Sequence, residues 1–477
     1  MTIHEAKRET RTTSKPDPRS PLAHLSEETI EQLGKEFDAI HDEVYGDLGD
    51  ADRRYIKTVI ATQRNLAVAG RVLLLGSRSK VAWVAGTSCL GMAKILENME
   101  IGHNVMHGQW DWMNDPDIHS SVWDWDTAST AEAWKHSHNY IHHTFTNIRG
   151  KDKDLGYEIM RIDPHQPWNP VYLAQPFYNF LLTAFFEWGV ALHDLDLDAI
   201  RKGEKSTSEL WHDLKGIGVK MRRQVIKDYI GWPVISAGAF ALTQLASGGN
   251  IRQPKTSRLA GRLRRAPKAG KRTKSVAAVM DRALPGVEQT FLATFAADFT
   301  ANIIRNVWAH AIIFCGHFPD QTYTFSKAET ENETRGGWYV RQLLGAANIE
   351  GSPLFHVISG NLGYQVEHHL YPDMPSTRYS QVAPKVKDIC ERYELPYNTG
   401  PFAQQWGQVH RTIFRLALPG GKPRPKPDPF HRPPHSAADP ERVSEAARFR
   451  SRVPASHPDA GPEHESGGVN VEPPPRD

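Results

Sequence analysis

Three groups of histidines set the chemistry open to this chain: His103-Asn-Val-Met-His107, His138-Asn-Tyr-Ile-His142-His143 and Gln365-Val-Glu-His368-His369. Seven of its 23 histidines fall within residues 103–143, where even placement would put about two. On a helix, residues four apart lie one turn apart on the same face, so His103 can act with His107 and His138 with His142. Gln365 stands three and four residues before His368 and His369 and shares their face. Neutral imidazole is a borderline ligand suited to iron, zinc or copper, and eight or more such ligands exceed what one tetrahedral zinc takes. The pattern implies two metals. Isolated histidines are a different matter: His119, His165, His193, His356, His410, His431 and His435 read as surface or satisfied core residues. His136 and His310 fall outside the clusters and read as neighbours of the site or incidental.

The elements that must position these groups are helical. Ser26 can cap a helix whose first turn holds Glu27 and Glu28 and whose apolar stripe runs through Ile30, Leu33 and Phe37. Four apolar stretches follow. Ala82–Ile101 is interrupted by Lys94, Glu97 and Glu100, Val171–Leu192 by Glu187, and Thr290–Gly316 by Asp298 and Arg305. Tyr229–Ser247 carries no charge across 19 residues, enough to cross a ~30 Å hydrocarbon layer. Together they predict an all-α integral membrane bundle of about four transmembrane helices, with the histidine groups on a helical cap.

Composition disguises this. The chain has 477 residues, 57 Lys+Arg against 55 Asp+Glu, a net charge of +2 and a mean hydropathy of −0.52. Those averages describe a soluble, neutral protein, but Gly248–Gly286 holds eleven basic residues and one acid, Asp281. Residues 1–25 and 421–477 are polar and Pro-, Ser- or Arg-rich, and read as disordered flanks of a domain spanning 26–420. Residues 248–286 read as a basic low-complexity insertion in that domain. Three cysteines without a C-x-x-C spacing exclude a disulfide scaffold and a cysteine-rich zinc module, and the even charge balance argues against a nucleic-acid partner. No secretory signal pattern is visible.

The three groups, in this order and separation, resemble the histidine boxes of the membrane fatty acid desaturases. The runs Glu97–Met113, Phe314-Cys-Gly-His-Phe-Pro319, and Gly360-Asn361 leading to Gln365-Val-Glu-His-His-Leu-Tyr-Pro372 are similar to bacterial acyl-CoA desaturases that act at C9 of stearoyl-CoA. The resemblance covers roughly residues 24–420 and omits Gly248–Gly286. It implies a di-iron centre ligated by His103, His107, His138, His142, His143, His317, Gln365, His368 and His369, with O₂ as co-substrate. Gln365 stands where many relatives carry histidine. Breaking an unactivated C–H bond is beyond any side-chain acid or base, so the chemistry would belong to the metal–oxygen unit. Residues expected to orient the imidazoles are Glu97, Glu100, Asp111, Asp154, Asn361 and Glu367. Glu100-Ile-Gly-His103 also fits the Glu-x-x-His spacing of soluble di-iron bundles, but no second copy exists.

The resemblance further implies a long-chain acyl-CoA substrate, or another acyl carrier or lipid, in an apolar tunnel. Trp110, Trp112, Trp123 and Trp125 are candidates for its entrance. Arg54, Lys57, Arg64, Arg71, Arg78 and Lys80 are a candidate approach for an anionic headgroup. No haem, dinucleotide or ferredoxin motif is present, so electrons would come from a separate NAD(P)H-dependent reductase, with or without a ferredoxin. The expected location is a bacterial inner membrane, with membrane lipid around the bundle and the boxes facing the cytoplasm. With the boxes toward the cytoplasm, a crossing by Tyr229–Ser247 would leave Gly248–Gly286 outside, against the positive-inside tendency; a re-entrant Tyr229–Ser247 would keep it inside, and the preferred reading is an insertion without a role. Two other functions remain open on the sequence: a di-iron hydroxylase or alkane monooxygenase, and a histidine-rich metal transport protein.

Overall fold

The computed structural model describes residues 24–247, 276–320 and 322–420, with 276–283 as backbone only. Most of the expected lead-in, most of the basic insertion and all of the tail from 421 lie outside the described residues, as do His431 and His435. What is described is mostly helical, with one short parallel pair, Asn348–Glu350 with Thr399–Pro401, and an isolated bridge between Ile148 and Phe325.

The first helix, Glu27–Gly46, starts at the expected cap, with Ser26 Oγ accepting from Thr29 N–H at 3.1 Å. Leu33 and Phe37 are fully buried against Arg335–Gly345 and Tyr379–Arg392, forming the core of the cap over Val366 and Leu370 of the third histidine group. Beneath it, the helices Asp50–Leu74 and Lys80–Leu96 pack as a pair. The 42-residue helix Val276–His317 lies against Lys80–Leu96 and Trp232–Ala246.

The apolar stretches are less regular than their composition predicts. Val171–Leu192 is broken at Phe185 into Gln175–Ala184 and Phe186–His193. Ala82–Ile101 leaves α geometry at Glu97, and only Trp232–Ala246 of the uncharged stretch is regular, 15 residues or about 22 Å. Among the described residues no helix is long and apolar enough to cross a membrane, so the expected set of about four spans is not reproduced helix by helix.

Charges inside these stretches are paired, with one another or with residues just outside them. Lys94 meets Asp228 at 2.8 Å, Arg305 pairs with Glu187, and Arg71 reaches Asp298 and, at 2.8 Å, Asp228. All but Arg71 are essentially buried. Large apolar side chains point outward from these helices and their neighbours, among them Val72, Phe180, Leu242 and Leu292, each more than half exposed. Polar-in, apolar-out is the reverse of a water-soluble bundle.

Candidate metal centre

Two of the histidine groups sit on π-helical turns, Glu97–His103 and Lys135–His142, each continuing into one short α-turn. π-turns are uncommon and concentrate at functional sites. The third group occupies the helix Gln365–Leu370, entered through Gly360 (φ 73°) and Asn361 (φ 54°) in left-handed geometry. A Cβ on Gly360 would lie 2.6 Å from the Met99 carbonyl oxygen, so glycine lets this lead-in press against the first π-turn. His317 ends the long helix. The Gln365 side chain fills the space a Cβ on Gly316 would need, 2.7 Å from Gln365 Cγ.

Ligand atoms of His103, His107, His138 and His368 lie within 4.8 Å of one another, and so do those of His142, His317 and His369. Seven of the nine expected ligands thus form two sets. His143 belongs to neither, but its ring stacks on His369 at 4.5 Å and meets His107 and His368 edge-on at 4.7 and 4.9 Å. Gln365 Nε2 lies 3.0 Å from His317 Nε2.

Neighbours fix the tautomers. His142 Nδ1–H donates to Asp152 at 3.1 Å, and His103 Nδ1–H to Asn104 Oδ1 at 3.0 Å. Tyr379 donates its one proton to the Tyr371 carbonyl, so it accepts from His368 Nδ1 at 3.1 Å. Gln342 uses its amide N–H on the His143 carbonyl and offers Oε1 to His369 Nδ1 at 3.0 Å. Asp154 Oδ2 lies 3.4 Å from His138 Nδ1 and 3.6 Å from His142 Nδ1. Nε2 is therefore left as a lone pair. His103 and His138 bring two such atoms within 3.3 Å. Nε2 of His107, His142, His143 and His368, with Gln365 Oε1, is buried with no hydrogen-bond partner among the described residues. Buried acceptors facing each other repel, and a cation between them removes both penalties. The donor set fits two nitrogen-ligated metal ions.

Electrostatics agree. Burial and neighbouring imidazoles hold His107, His143, His317, His368 and His369 well below 6.5, and burial first, then His138, brings His103 to about 3. They are neutral, as ligation requires. For His142 burial acts downward, but the Asp152 and Asp154 carboxylates outweigh it and raise the group.

The residues expected to orient the imidazoles divide. Asp154 does so directly. Glu100 acts through Asn104, whose amide donates to Glu100 Oε2 at 3.3 Å, and Tyr55, Ser376 and Asn361 also converge on that carboxylate. Glu367 touches no imidazole. It accepts from Tyr397 and Asn348, joining the third group to the strand pair, and burial pushes it up to about 7. Asp111 accepts from Ser120 and approaches only His119, and Glu97 contacts no imidazole of the two sets among the described residues. Sequence reasoning missed Asp152, Asn104, Gln342 and Tyr379. Only Asp152, two residues before Asp154, carried a signal. Of the isolated histidines, His356 stacks under Tyr364 and His310 bonds Asn179, while His136 is exposed. His193 instead reaches Asp154.

A cavity of about 60 Å³ opens beside His103 and His138, walled by Trp125, Trp134, Tyr157 and Phe186. Trp125 is the one expected entrance tryptophan on its wall. Trp110 stacks with Tyr55, and Trp112 lies beneath the Arg53 guanidinium. Arg53, Arg54 and Lys57 line an open groove, whereas Arg71 is engaged in the buried pairs and is not part of any surface approach.

A sequence model of fatty acid desaturases matches residues 240–401. The chain is 42% identical over 398 residues to the NADPH-dependent stearoyl-CoA 9-desaturase of Mycobacterium tuberculosis, covering 83% of this chain and 82% of that one. It is 23% identical over 321 residues to the sn-1 linoleoyl-lipid 6-desaturase of Synechocystis, covering 66% and 75%. Human fatty acid desaturase 3 is 34% identical over 130 residues, 27% of this chain and 26% of that one. No solved structure matches.

Proposed function

This chain belongs to the fatty acid desaturase family, and from that premise we propose that it places a cis double bond at C9 of a long saturated acyl-CoA such as stearoyl-CoA. The overall change converts –CH₂–CH₂–, O₂, two electrons and two protons into –CH=CH– and two waters. The electrons come from a separate NAD(P)H-dependent reductase, directly or through a ferredoxin. The observation that carries the reading is the pair of converging, buried imidazole sets, with Nε2 of His107, His142 and His368 unpartnered among the described residues, beside an aromatic-walled cavity.

His103, His107, His138 and His368 would hold one iron and His142, His317 and His369 the other, with His143 and Gln365 completing the donor set. Such ions supply, with O₂, the power to abstract hydrogen from an unactivated methylene. The remaining work is the chain's own. Asn104, Asp152, Asp154, Gln342 and Tyr379 hold the rings in one tautomer and one orientation. Trp125, Trp134, Tyr157 and Phe186 offer an apolar wall to the methylenes and exclude water. Arg54 offers positive charge to an anionic headgroup, beside Arg53 and Lys57, which share theirs with Asp50 and Asp115.

The outward apolar side chains and inward ion pairs support membrane embedding of the bundle as a whole. The proposed location is the bacterial inner membrane, with the boxes toward the cytoplasm. Residues 26–420 would form the catalytic domain. Expression in a host lacking the activity, with double-bond positions in its lipids read by mass spectrometry, tests the proposal. A new 9-monoene is expected, and hydroxylated product alone, or no product, refutes it.

A further inference from the structure

We propose that His193 is a positioning residue for the second-box imidazoles, acting through Asp154. The proposal rests on the metal-centre reading above. His193 stands 50 residues beyond His143, at the end of the helix Phe186–His193, in no box and at no ligand spacing. Its side chain is 5% exposed, and Nε2 lies 3.0 Å from Asp154 Oδ1.

The distances assign the roles. Asp154 contacts His138 at 3.4 Å and His142 at 3.6 Å, long for hydrogen bonds to a carboxylate, and His193 at 3.0 Å. The short contact decides where the carboxylate sits, and the two second-box rings take their orientation from it. His193 is itself fixed from outside the boxes. Its ring meets Tyr157 edge-on at 5.3 Å, Phe186 at the start of its helix packs on Tyr157 and Phe314, and Glu187 is paired with Arg305. The bundle thereby braces the second box through one imidazole.

The contact also has an exclusion role. Asp154 Oδ, His138 and His142 form a third group of atoms close enough to share an ion. A carboxylate left free there would draw an ion to the Nδ1 side of the two rings, where Oδ2 lies 3.4 and 3.6 Å away, giving mixed nitrogen–oxygen ligation in place of the Nε2 sets. His193 opposes this by engaging Oδ1 and balancing its charge. Burial works against protonation of His193, but the Asp154 hydrogen bond and charge prevail and raise it to about 9.

The test uses the full chain, purified metal-free and titrated with Co²⁺ against a competing chelator, with the visible ligand-field spectrum recorded. His193→Phe and Asp154→Asn are each expected to weaken Co²⁺ binding by about 10–100-fold. In His193→Phe the spectrum should also move toward mixed nitrogen–oxygen ligation, and Asp154→Asn in that background should reverse the spectral move. His193→Gln, which keeps a donor, should bind within about threefold of wild type, an expectation scaled to the same outer-contact range. Should His193→Phe yield no folded protein, Asp154→Asn and His193→Gln read the same contact. Wild-type affinity and spectrum in His193→Phe, or in Asp154→Asn where that variant alone is folded, overturn the proposal, as does a His193→Gln variant as weak as Asp154→Asn. A wild-type chain that binds fewer than two Co²⁺ ions refutes the metal-centre reading itself, so the two failures are distinguishable.

Discussion

Replacing Glu187 by leucine isolates the buried ion pair that joins two of the apolar stretches. Arg305 is 1% exposed and gives its guanidinium to three acceptors: Glu187, the Asn306 side-chain oxygen at 3.1 Å, and the Asp126 carbonyl at 3.2 Å. Breaking one side of a buried pair costs about 3–5 kcal/mol, because the remaining charge stays buried without its counter-ion. Two of three acceptors survive, which places Arg305 at the lower end, about 3 kcal/mol. Gln224 Nε2 loses its 2.8 Å contact to Glu187 Oε2, adding about 1 kcal/mol. The total, about 4 kcal/mol, lowers the folded-to-unfolded ratio by nearly three orders of magnitude. Arg305→Met in the same chain removes the stranded charge, so the double variant should recover about 2–3 kcal/mol. The assay is the denaturant midpoint of detergent-purified protein, with the slope checked for constancy. A single variant within about 0.5 kcal/mol of wild type refutes the reasoning, as does a double variant no better than the single.

His368→Ala removes a member of the larger ligand set while its partner Tyr379 keeps the Tyr371 carbonyl. Monoene formation should vanish and bound iron should fall below two per chain, by elemental analysis, with unchanged membrane insertion. Glu100→Ala strips the common acceptor from Tyr55, Ser376, Asn361 and Asn104, and should weaken metal binding about 10-fold or more in chelator competition. Gly316→Ala should displace Gln365. Helix propensity favours alanine by about 1 kcal/mol, overpacking against the amide opposes it by about 1–3 kcal/mol, and lower thermal stability with altered metal spectra is expected. The metal-free protein should lose stability as pH falls below about 6.5. His103, His107, His143, His317, His368 and His369 are depressed in the folded state, so the unfolded chain binds more protons there and gains as acid is added. Glu367 and Asp194, raised by burial to about 7 and about 6, take up protons in the folded state and oppose this loss, so the check is a difference: the unfolding midpoint of metal-free His368→Ala should gain on the wild type's between pH 7 and 5, and a constant difference would contradict that burial.

The sequence by itself located the histidine groups that the fold brings together. Ligand identity is local: His103 with His107, and His138 with His142, declare a shared face within five residues, and Gln365 with His368 and His369 does so again. The residues that make those imidazoles usable ligands were mostly invisible, because their spacing carries no period. Asn104 passes Glu100 to His103 across one turn, Tyr379 reaches His368 from the next helix, and Gln342 reaches His369 from 27 residues upstream. Glu367, the acid beside the ligands in sequence, points instead to Tyr397 and Asn348.

The apolar stretches show the same division. Composition located them and exposed Lys94, Glu187, Asp298 and Arg305 as charges out of place, but pattern alone could not say that these charges pair, nor that Val171–Leu192 breaks at Phe185. Periodicity reports which face of an element is apolar, whereas pairing depends on which elements become neighbours. In this chain that choice brings Lys94 to Asp228, Glu187 to Arg305, and an isolated histidine, His193, to the carboxylate behind the second box.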